Sequence, residues 1–476
     1  MNRELVAALE KQLGKNGVLS KAEELLLYEY DGSVEQAGPD CVVFPRSTED
    51  VVQIAQLANR FHTPLVGRGA GTGLSGGALA REGGILVVFS GMNRILEIDV
   101  ENRRAIVQPG VVNFEVSRAV KQFGLHFAPD PSSQKACTIG GNVSENAGGP
   151  HTLAYGVTTN HVLGMRIVLP SGEVMNIGGM AVDTPGYDLT GLFVGSEGTL
   201  ALVTEIIVKL TPLPEEVKTL LAVFDAVDDA MHTVVELTAR GVTPAACEML
   251  DGWTLRAVEA YVHAGFPMDS AAVLLFDVDG LREAAEAQAE IVKEVCLEHH
   301  AREVRFARND EERELLWKGR KNAFGAVGRL SPTYYVQDGV IPRTKLPETL
   351  RHISEVGRRN GFEIGNIFHA GDGNLHPIIL FDARDHEQFK RAVATADEII
   401  GFCISVGGSI TGEHGVGMEK DRLMPLLFSE SELEMMKRVR DAFNPDGLLN
   451  PGKIFPTGKG CGETRVRPLP QRGTAA

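Results

Sequence analysis

The sequence predicts an α+β protein of two or three domains, and three observations carry this prediction. Between residues 41 and 66 an apolar strand, an amphipathic helix and a second strand follow one another, as in a small α/β unit. Short strands then predominate up to about residue 210. After Thr211-Pro-Leu-Pro214 strands and helices alternate, which favours helices packed on one face of an antiparallel sheet.

The composition bounds the class of protein and its partners. The chain has 476 residues, of which 43% are hydrophobic and 23% charged, as in ordinary soluble globular proteins. The formal net charge of −16 argues against nucleic acid and anionic membranes as general partners. No apolar run reaches the roughly 18 residues of a membrane-spanning helix, and the N-terminus lacks the apolar segment of a signal peptide. Six scattered cysteines without a CxxC spacing predict no disulfide framework and no iron–sulfur cluster, so we expect a cytoplasmic protein.

The first part of the chain is predicted to start with peripheral helices over residues 1–35. Ser47 and Thr48 can then cap a helix that ends at Pro64, and a further helix is predicted over Val112–Phe123. The Pro170-Ser171-Gly172 turn predicts a hairpin. The predicted strands are Cys41–Phe44, Leu65-Val66, Ile85–Phe89, Ile95–Asp99, Ala105–Gln108, Val162–Leu169, Glu173–Ile177 and Thr199–Leu210.

Residues 67–78, GRGAGTGLSGGA, form the most unusual stretch, because six of the twelve residues are glycine. Glycine permits positive φ and close approach of the backbone to a ligand, and consecutive N–H groups can then form a concave anion site. We therefore predict a loop that grips a pyrophosphate; the alternative is a flexible surface turn. A Walker loop is excluded because the stretch has no lysine. Gly71 to Gly76 spells GxGxxG, but further glycines and the strand at Ile85 leave no room for the helix of a Rossmann fold.

Residues 126–150, HFAPDPSSQKACTIGGNVSENAGGP, are rich in Gly, Ser, Asn and Pro. A loop of this length is usually functional or disordered. Its small residues and lack of charge runs favour a second wall of the same cofactor site, with a plain connecting loop as the alternative.

The second part of the chain is predicted to contain an antiparallel sheet with helices such as Leu281–Glu298. Residues 457–476 are polar and are expected to be a disordered tail. The predicted strands are Leu220–Phe224, Ala246–Leu250, Ala272–Val278 and Val304–Ala307.

Residues 367–381, IFHAGDGNLHPIILF, predict a hairpin with Asp372-Gly373 as a two-residue turn. Counting outward from that turn places His369 opposite His376 on one face. Two imidazoles so placed can share one divalent metal ion. The alternative is a pair of core histidines that form ordinary hydrogen bonds.

A third ligand is predicted in residues 411–417, TGEHGVG. Neighbours along an extended chain point in opposite directions, so Glu413 and His414 should not bind the same ion. We assign Glu413 to the metal and leave His414 facing a substrate. His₂Glu with an open position is a catalytic zinc pattern. Alternatively, Glu413 accepts hydrogen bonds from nearby glycine amides.

A cation for an acidic substrate is sought on the basic helix predicted over Arg313–Arg329. Arg320 follows Trp317 by three residues and shares its helix face. The guanidinium fork suits bidentate capture of a carboxylate, although basic helix faces are more often solvated surface.

Taken together, these stretches resemble a known family. The glycine-rich stretch is followed by PDPSS, TIGGNVSENAGG, GSEGTLALVTEI, HAGDGNLH, TGEHGVG and LLNPGK, over roughly residues 15–456. The set is similar to the FAD-linked 2-hydroxy-acid dehydrogenases of the vanillyl-alcohol-oxidase-like flavoproteins. GRKNAFGAVGRLSP and YYVQDGVIPR are most similar to the FAD-bearing catalytic subunit of bacterial glycolate oxidase. Bacterial D-lactate dehydrogenases and D-2-hydroxyglutarate dehydrogenases are close neighbours.

The resemblance implies a domain organisation. A two-subdomain FAD-binding α/β domain of the PCMH type, with N-terminal helices, would occupy residues 1–213. An antiparallel-sheet-plus-helices substrate or cap domain with the metal hairpin would occupy 214–410. Residues 411–456 would return to the flavin, and 457–476 would be the disordered tail.

The resemblance also implies residue roles. His369, His376 and Glu413 would hold a zinc or manganese ion, His414 matches the family's base, and Arg320 its carboxylate-binding arginine. The loop of residues 67–78 carries no histidine for covalent attachment, so FAD is expected to be noncovalent. The residues expected to bind FAD are Arg68, Gly69, Ala70, Gly71, Thr72, Gly73, Leu74, Ser75, Pro129, Asp130, Ser133, Thr138, Gly141, Asn142, Ala147, Gly148, Gly149, Gly198 and Asn450.

The implied reaction is the oxidation of a small 2-hydroxy acid, glycolate or D-lactate, to the 2-oxo acid. His414 would take the hydroxyl proton and C2 would deliver hydride to flavin N5. Phe324, Val336 or Gln337, and Ile378 stand where the D-2-hydroxyglutarate enzymes carry polar contacts, which favours a monocarboxylate. The alternatives are a D-2-hydroxyglutarate dehydrogenase-like enzyme and a non-catalytic flavin subunit.

The reduced flavin would need an external electron acceptor, such as an iron–sulfur subunit, because the chain has no cluster ligands of its own. A homodimer or a hetero-oligomer is compatible with the sequence. Partner subunits could hold this cytoplasmic chain peripherally at the inner membrane.

Overall fold

The computed structural model describes residues 2–181 and 185–457 of the chain. The predicted disordered tail lies outside the described residues except for Thr457.

A small sheet near the N-terminus has the strand order β1-β2-β4-β3, with β2 and β3 both parallel to β4. The Ser47 hydroxyl accepts the Asp50 N–H at 3.1 Å, which confirms the predicted helix start. Turns and bends without a helix connect β3 to β4, so the rejection of a Rossmann motif is confirmed. The elements are α1 Arg3–Leu13, β1 Val18–Leu19, α2 Ala22–Leu25, β2 Cys41–Val43, α3 Thr48–Arg60, β3 Leu65–Arg68 and β4 Ile85–Val88.

A second, antiparallel sheet follows, with the order β5-β6-β10-β8-β9, and it includes the predicted hairpin as β8 and β9. The prediction of an uninterrupted loop over 126–150 is wrong. Thr138 caps a short helix by accepting the Gly141 N–H at 3.3 Å, and this capping signal was hidden by the glycine-rich composition. The elements are β5 Ile95–Asp99, β6 Arg104–Val107, α4 Asn113–Val120, β7 Leu125–His126, α5 Ile139–Glu145, α6 Thr152–Tyr155, β8 Val162–Val168, β9 Val174–Gly178, α7 Leu189–Phe193, β10 Leu202–Lys209 and β11 Thr211–Pro212.

The third sheet is the largest and runs in the order β15-β12-β14-β13-β18-β19-β17, with β20 joining β18 to β16. The elements are β12 Glu216–Phe224, α8 Val227–Ala239, β13 Ala246–Asp251, α9 Gly252–Val262, β14 Ala272–Gly280, α10 Arg282–Glu298, β15 Glu303–Phe306, α11 Asp310–Lys321, α12 Ala323–Val327, β16 Thr333–Val336, β17 Gly339–Val340, α13 Leu346–Asn360, β18 Ile364–His369, β19 Asn374–Leu375, β20 Pro377–Phe381, α14 His386–Ser405, α15 Met424–Leu427 and α16 Glu430–Phe443.

Helices cover both faces of this third sheet, so the prediction of helices on one face is wrong. In β12, Leu220 and Phe224 pack into a core with α8, α10, α13 and α14, whereas Leu221 and Val223 pack into a second core with α9, α11 and α12. The strand is apolar on both sides because both sides are buried. The predicted basic helix over 313–329 is also divided, since α11 ends at Lys321 and α12 follows.

The segment after α14 returns to the first sheet. Leu449 forms a parallel bridge with Leu65, and the Asn450 N–H donates to the Leu65 carbonyl at 2.7 Å. The Met418 N–H donates to the Ser75 carbonyl at 3.0 Å. These bonds bring residues 411–417 next to the glycine-rich stretch.

Candidate active site

A cavity of about 360 Å³ joins the glycine-rich stretch to the histidine cluster. His376, Glu413 and His414 line it together with Lys321 and Glu197. The residues predicted to bind the cofactor that also line this cavity are Arg68, Gly69, Ala70, Gly71, Thr72, Gly73, Leu74, Ser133, Thr138, Gly141, Asn142, Ala147 and Gly198.

The glycine-rich stretch presents backbone donors to this cavity. Among the described residues, none accepts a hydrogen bond from the N–H groups of residues 70–74. Gly71 has a φ of +69°, a conformation that favours glycine. Arg68 also lines the cavity, and its buried Nη1 has no hydrogen-bond partner in the described chain. Consecutive N–H groups beside a guanidinium fit an anionic diphosphate.

Some residues predicted to bind the cofactor lie outside the cavity lining and support its walls instead. Asn450 donates through Nδ2 to the carbonyls of Gly77 at 3.0 Å and Glu197 at 2.7 Å. Asp130 is held by His151 at 3.0 Å and Lys321 at 3.2 Å, so its carboxylate is already paired. The full set is Ser75, Pro129, Asp130, Gly148, Gly149 and Asn450.

The two predicted histidines converge, but through a different hairpin from the predicted one. Residues 370–373 form a four-residue turn, closed by the Gly373 N–H to the His369 carbonyl at 3.2 Å. His369 therefore pairs with Asn374, and His376 lies two residues further on, diagonally placed on the same face. Their ring centroids are 5.1 Å apart. The predicted two-residue turn is wrong because the turn takes up two more residues.

Three possible metal-ligand atoms, two imidazole nitrogens and one carboxylate oxygen, lie close together at this hairpin. Glu413 Oε1 lies 3.2 Å from His369 Nε2 and 3.1 Å from His376 Nε2. The other ring nitrogens face acceptors: His369 Nδ1 is 2.7 Å from Glu248 Oε1, and His376 Nδ1 is 3.3 Å from the Gln337 carbonyl. Each Nδ1 therefore has an acceptor, so a neutral imidazole with its proton on Nδ1 would leave Nε2 free to bind a cation beside Glu413.

The carboxylate of Glu413 and the two imidazoles need a positive charge among them, either a proton or a metal ion. Burial disfavours a charged imidazole, yet the carboxylates of Glu248 and Glu413 raise the pKa of His369 well above its usual value. Burial likewise opposes ionisation of Glu413, but His369 and His376 hold its pKa well below the usual range. Two imidazole nitrogens and a carboxylate oxygen within 4.8 Å of one another fit a divalent cation of the zinc or manganese kind.

Glu413 and His414 both face the cavity, so the argument that they point in opposite directions is wrong. His414 Nε2 lies 3.7 Å from Glu413 Oε1, and its ring stacks on that of His376 at 4.8 Å. The chain bends here because Asp338 accepts the N–H groups of Gly412 at 3.0 Å and His414 at 2.9 Å. An extended chain, which the prediction assumed, would have separated the two side chains.

His414 is poised to accept a proton. Burial lowers its pKa to about 4, against the opposing attraction of the Asp338 carboxylate. Its Nδ1 is buried and has no hydrogen-bond partner among the described residues. The imidazole is therefore neutral near pH 7 and can act as a base.

Arg320 is fully buried and is absent from the residues that line the cavity. Its Nη2 lies 2.5 Å from Glu248 Oε2, which makes Glu248 a link between Arg320 and His369. Its Nε and Nη1 have no hydrogen-bond partner among the described residues. Arg320 and Trp317 are both buried, so this part of the helix is not the solvated basic surface that was the alternative.

Sequence reasoning missed Glu248 and Asp338, which hold the predicted residues in place. Glu248 is the one charged residue in the apolar run Ala246–Leu250, and a lone acid in a buried strand is a usable signal. Asp338 follows Gln337 in the link between β16 and β17, where the sequence offers no comparable signal. Neither residue is close in sequence to the histidines, so their role could not be read from spacing.

The fold and the cavity define an FAD-binding class of oxidoreductase, and family models agree. Residues 39–178 match the model described as FAD binding domain, and residues 213–454 match the one described as FAD linked oxidases, C-terminal domain. The chain belongs to the family of FAD-linked oxidases and is an FAD-dependent oxidoreductase.

The chain is also similar to individual proteins along most of its length. The chain is 46% identical over 460 residues to glycolate oxidase subunit GlcD of Escherichia coli strain K12, covering 96% of this chain and 92% of that protein. It is 32% identical to the mitochondrial D-lactate dehydrogenase [cytochrome] of Arabidopsis thaliana, covering 88% and 74%. The solved structure of p-cresol methylhydroxylase with bound substrate superposes with a TM-score of 0.81 at 17% identity, covering 96% and 97%. The predicted PCMH-type fold is thereby confirmed.

No helix in the described part of the chain combines the length and the apolar character that crossing a membrane needs.

Proposed function

We propose that this protein oxidises a small 2-hydroxy acid, glycolate or D-lactate, to the corresponding 2-oxo acid. One observation carries the proposal: His414 and two members of the His369–His376–Glu413 cluster, His376 and Glu413, line the same cavity as residues 70–74, whose N–H groups have no acceptor among the described residues. The names of the relatives, a glycolate oxidase subunit and a D-lactate dehydrogenase, support this substrate class.

FAD is proposed to bind noncovalently in the cavity. Bound FAD supplies the acceptor for the hydride that leaves C2 of the substrate. The N–H groups of residues 70–74 and Arg68 would hold its diphosphate, and the wall from Ser133 to Ala147 would line the rest. We propose the division into an FAD domain, 1–213, a cap domain, 214–410, and a returning segment, 411–456.

His369, His376 and Glu413 are proposed to hold a zinc or manganese ion. Such an ion would lower the pKa of the substrate hydroxyl. Glu248 and the Gln337 carbonyl would orient the two imidazoles through their Nδ1–H groups.

His414 is proposed as the general base. It takes the hydroxyl proton at a ring nitrogen while two electrons leave C2 as hydride, so the substrate loses one proton and one hydride. Arg320 is proposed as the residue that binds the substrate carboxylate, because its Nε and Nη1 have no hydrogen-bond partner among the described residues. It is fully buried against Glu248 and does not line the cavity, so its guanidinium would have to turn toward the cavity to meet a substrate.

The apolar side of the cavity favours a small substrate. Phe324 and Val336 line it, and the Phe324 ring lies 6.2 Å from that of His376. Gln337, by contrast, donates to Glu419 at 3.2 Å, and Ile378 is fully buried. A second substrate carboxylate would meet Phe324 and Val336, so D-2-hydroxyglutarate is the less favoured alternative.

The reduced flavin is proposed to pass its electrons to an external acceptor, such as an iron–sulfur subunit or a cytochrome. The name of the glycolate oxidase relative describes it as a subunit, which supports a hetero-oligomer over a homodimer. We place the protein in the cytoplasm, or peripherally at the inner membrane through partner subunits.

Anaerobic bleaching of the bound flavin tests the proposal. The FAD-loaded protein is mixed with glycolate, D-lactate, L-lactate or D-2-hydroxyglutarate, before and after chelation and with zinc or manganese restored. We expect rapid bleaching by glycolate or D-lactate that is lost on chelation and recovered with metal. Bleaching by none of the four acids would contradict the substrate class, and bleaching that survives complete metal removal would contradict the metal site alone.

A further inference from the structure

Two acids that the proposed reaction does not use face the cofactor cavity: Glu197 is buried and Glu145 is half-buried. Glu145 is the last residue of helix α5, and Glu197 precedes Gly198; both line the cavity beside His414. Gly415 lies between them, because a Cβ at that position would be 2.2 Å from Glu145 Oε2 and 3.0 Å from Glu197 Oε1. Two carboxyl groups this close do not both ionise readily in a buried site.

Burial raises the pKa of both acids, and their hydrogen bonds show that Glu197 is better able to carry a charge than Glu145. Glu197 Oε1 accepts the Val416 N–H at 2.7 Å, and its Oε2 accepts the Gly417 N–H at 2.7 Å. Two backbone donors stabilise an ionised carboxylate. Glu145 Oε2 is buried and has no hydrogen-bond partner among the described residues.

The remaining surroundings also disfavour charge on Glu145. It stands at the C-terminus of α5, where the helix dipole opposes an anion. The charged groups that face it are Glu197, Lys453, Asp31 and Lys420. Lys453 does not donate to it, because Lys453 Nζ donates to the carbonyls of Gly77 and Leu79 and to Asn450. Burial, followed by the charge of Glu197, raises the pKa of Glu145 well above its usual range.

We propose that Glu145 carries a proton and donates its carboxyl O–H to the redox-active ring of bound FAD. The location supports this end of the cofactor, because Glu145 lies against Gly415, directly after His414. A neutral donor at the ring stabilises the more electron-rich reduced cofactor, so Glu145 would raise the reduction potential of the flavin. The inference depends on FAD binding in this cavity but does not depend on which hydroxy acid is oxidised.

The test compares the flavin midpoint potentials of the FAD-loaded wild type, E145Q and E145L by photochemical reduction, which requires no substrate. Gln keeps a neutral donor of similar size, so E145Q is expected to retain the wild-type potential, whereas E145L is expected to shift it to a lower value. E115Q, a change in a carboxylate on the solvent side of α4, is the matched control and should leave the potential unchanged. A potential of E145Q above that of the wild type would show that Glu145 is ionised and would overturn the proposal. Unchanged potentials in both variants would overturn it as well.

A second readout covers the case in which E145L fails to bind FAD. Infrared difference spectra of flavin reduction should contain a protonated-carboxyl C=O band in the wild type that is absent from E145Q and present in E115Q. Absence of that band from the wild type would contradict a protonated Glu145. These readouts remain informative if no 2-hydroxy acid bleaches the flavin, so this inference and the proposed function can fail separately.

Discussion

Glu248 Oε1 lies 2.7 Å from His369 Nδ1, and both side chains are buried. The same carboxylate reaches Arg320 Nη2 through its other oxygen at 2.5 Å. One buried acid thus fixes the tautomer of a proposed metal ligand and neutralises the proposed carboxylate-binding arginine.

Replacing Glu248 by Gln should weaken both functions. We expect E248Q to lower metal affinity about 10–100-fold, because the imidazole loses the carboxylate that orients it. The free energy of unfolding should fall by roughly 3–5 kcal/mol, since Arg320 keeps a buried charge without its partner. Metal titration and denaturant unfolding measure the two effects, with the exposed Glu355→Gln as control. Unchanged metal affinity in folded E248Q would refute the orienting role.

Gly148 lies against the proposed ligand Glu413. A Cβ on Gly148 would lie 2.9 Å from Glu413 Oε2 and 2.7 Å from Thr152 Oγ1. G148A should therefore displace the carboxylate and reduce metal affinity, while the backbone conformation accepts alanine. Gly325 in α12 is the matched control, because a Cβ there meets nothing within 4 Å. Equal metal affinity in G148A and G325A would argue against Glu413 as a ligand.

His414 should be needed for the reaction but not for the binding of FAD or metal. We expect H414A to lower kcat by about 10²–10⁴, the usual contribution of a positioned general base. FAD and metal content should stay at the wild-type level, since neither is assigned to this side chain. H232A, a change at an exposed position of α8, is the control for activity lost during purification. Wild-type turnover in H414A would remove His414 from the mechanism.

The ion pair between His151, directly after the loop of residues 126–150, and Asp130 within that loop should make the protein less stable at alkaline pH. Burial disfavours the charged form of His151, but Asp130 outweighs it and raises the pKa of His151 to about 10, above its value in the unfolded chain. The folded protein therefore binds the extra proton between about pH 6.5 and pH 10, and its free energy of unfolding should fall as pH rises through that window. His151 also stacks on Trp317 with ring centroids 5.6 Å apart, so the end of the loop is held against α11.

Denaturant unfolding at several pH values measures this dependence. D130N removes the carboxylate that raises the pKa, so its stability should be lower at pH 6 and should change less between pH 7 and pH 10. An identical pH slope in D130N and the wild type would show that the pair does not control alkaline stability.

The sequence alone determined the features that depend on a few neighbouring residues. The Ser47 cap, the β8–β9 hairpin and the helix-free glycine-rich stretch follow from local residue chemistry, and the structure bears them out. The family was indicated by the resemblance of its motifs, and the comparisons confirm it. The short helix α5 was missed because a single capping threonine stands among glycines, which weaken any helical pattern.

Only the tertiary structure decided how the proposed active-site residues face one another. The four-residue turn set the diagonal pairing of His369 with His376, and Asp338 bent the chain so that Glu413 and His414 share a cavity. Glu248 reaches His369 across 121 residues of sequence, because adjacent strands of the third sheet bring them into register. Local preferences cannot encode such contacts, since strand register and packing are fixed by the burial of whole faces rather than by neighbouring residues.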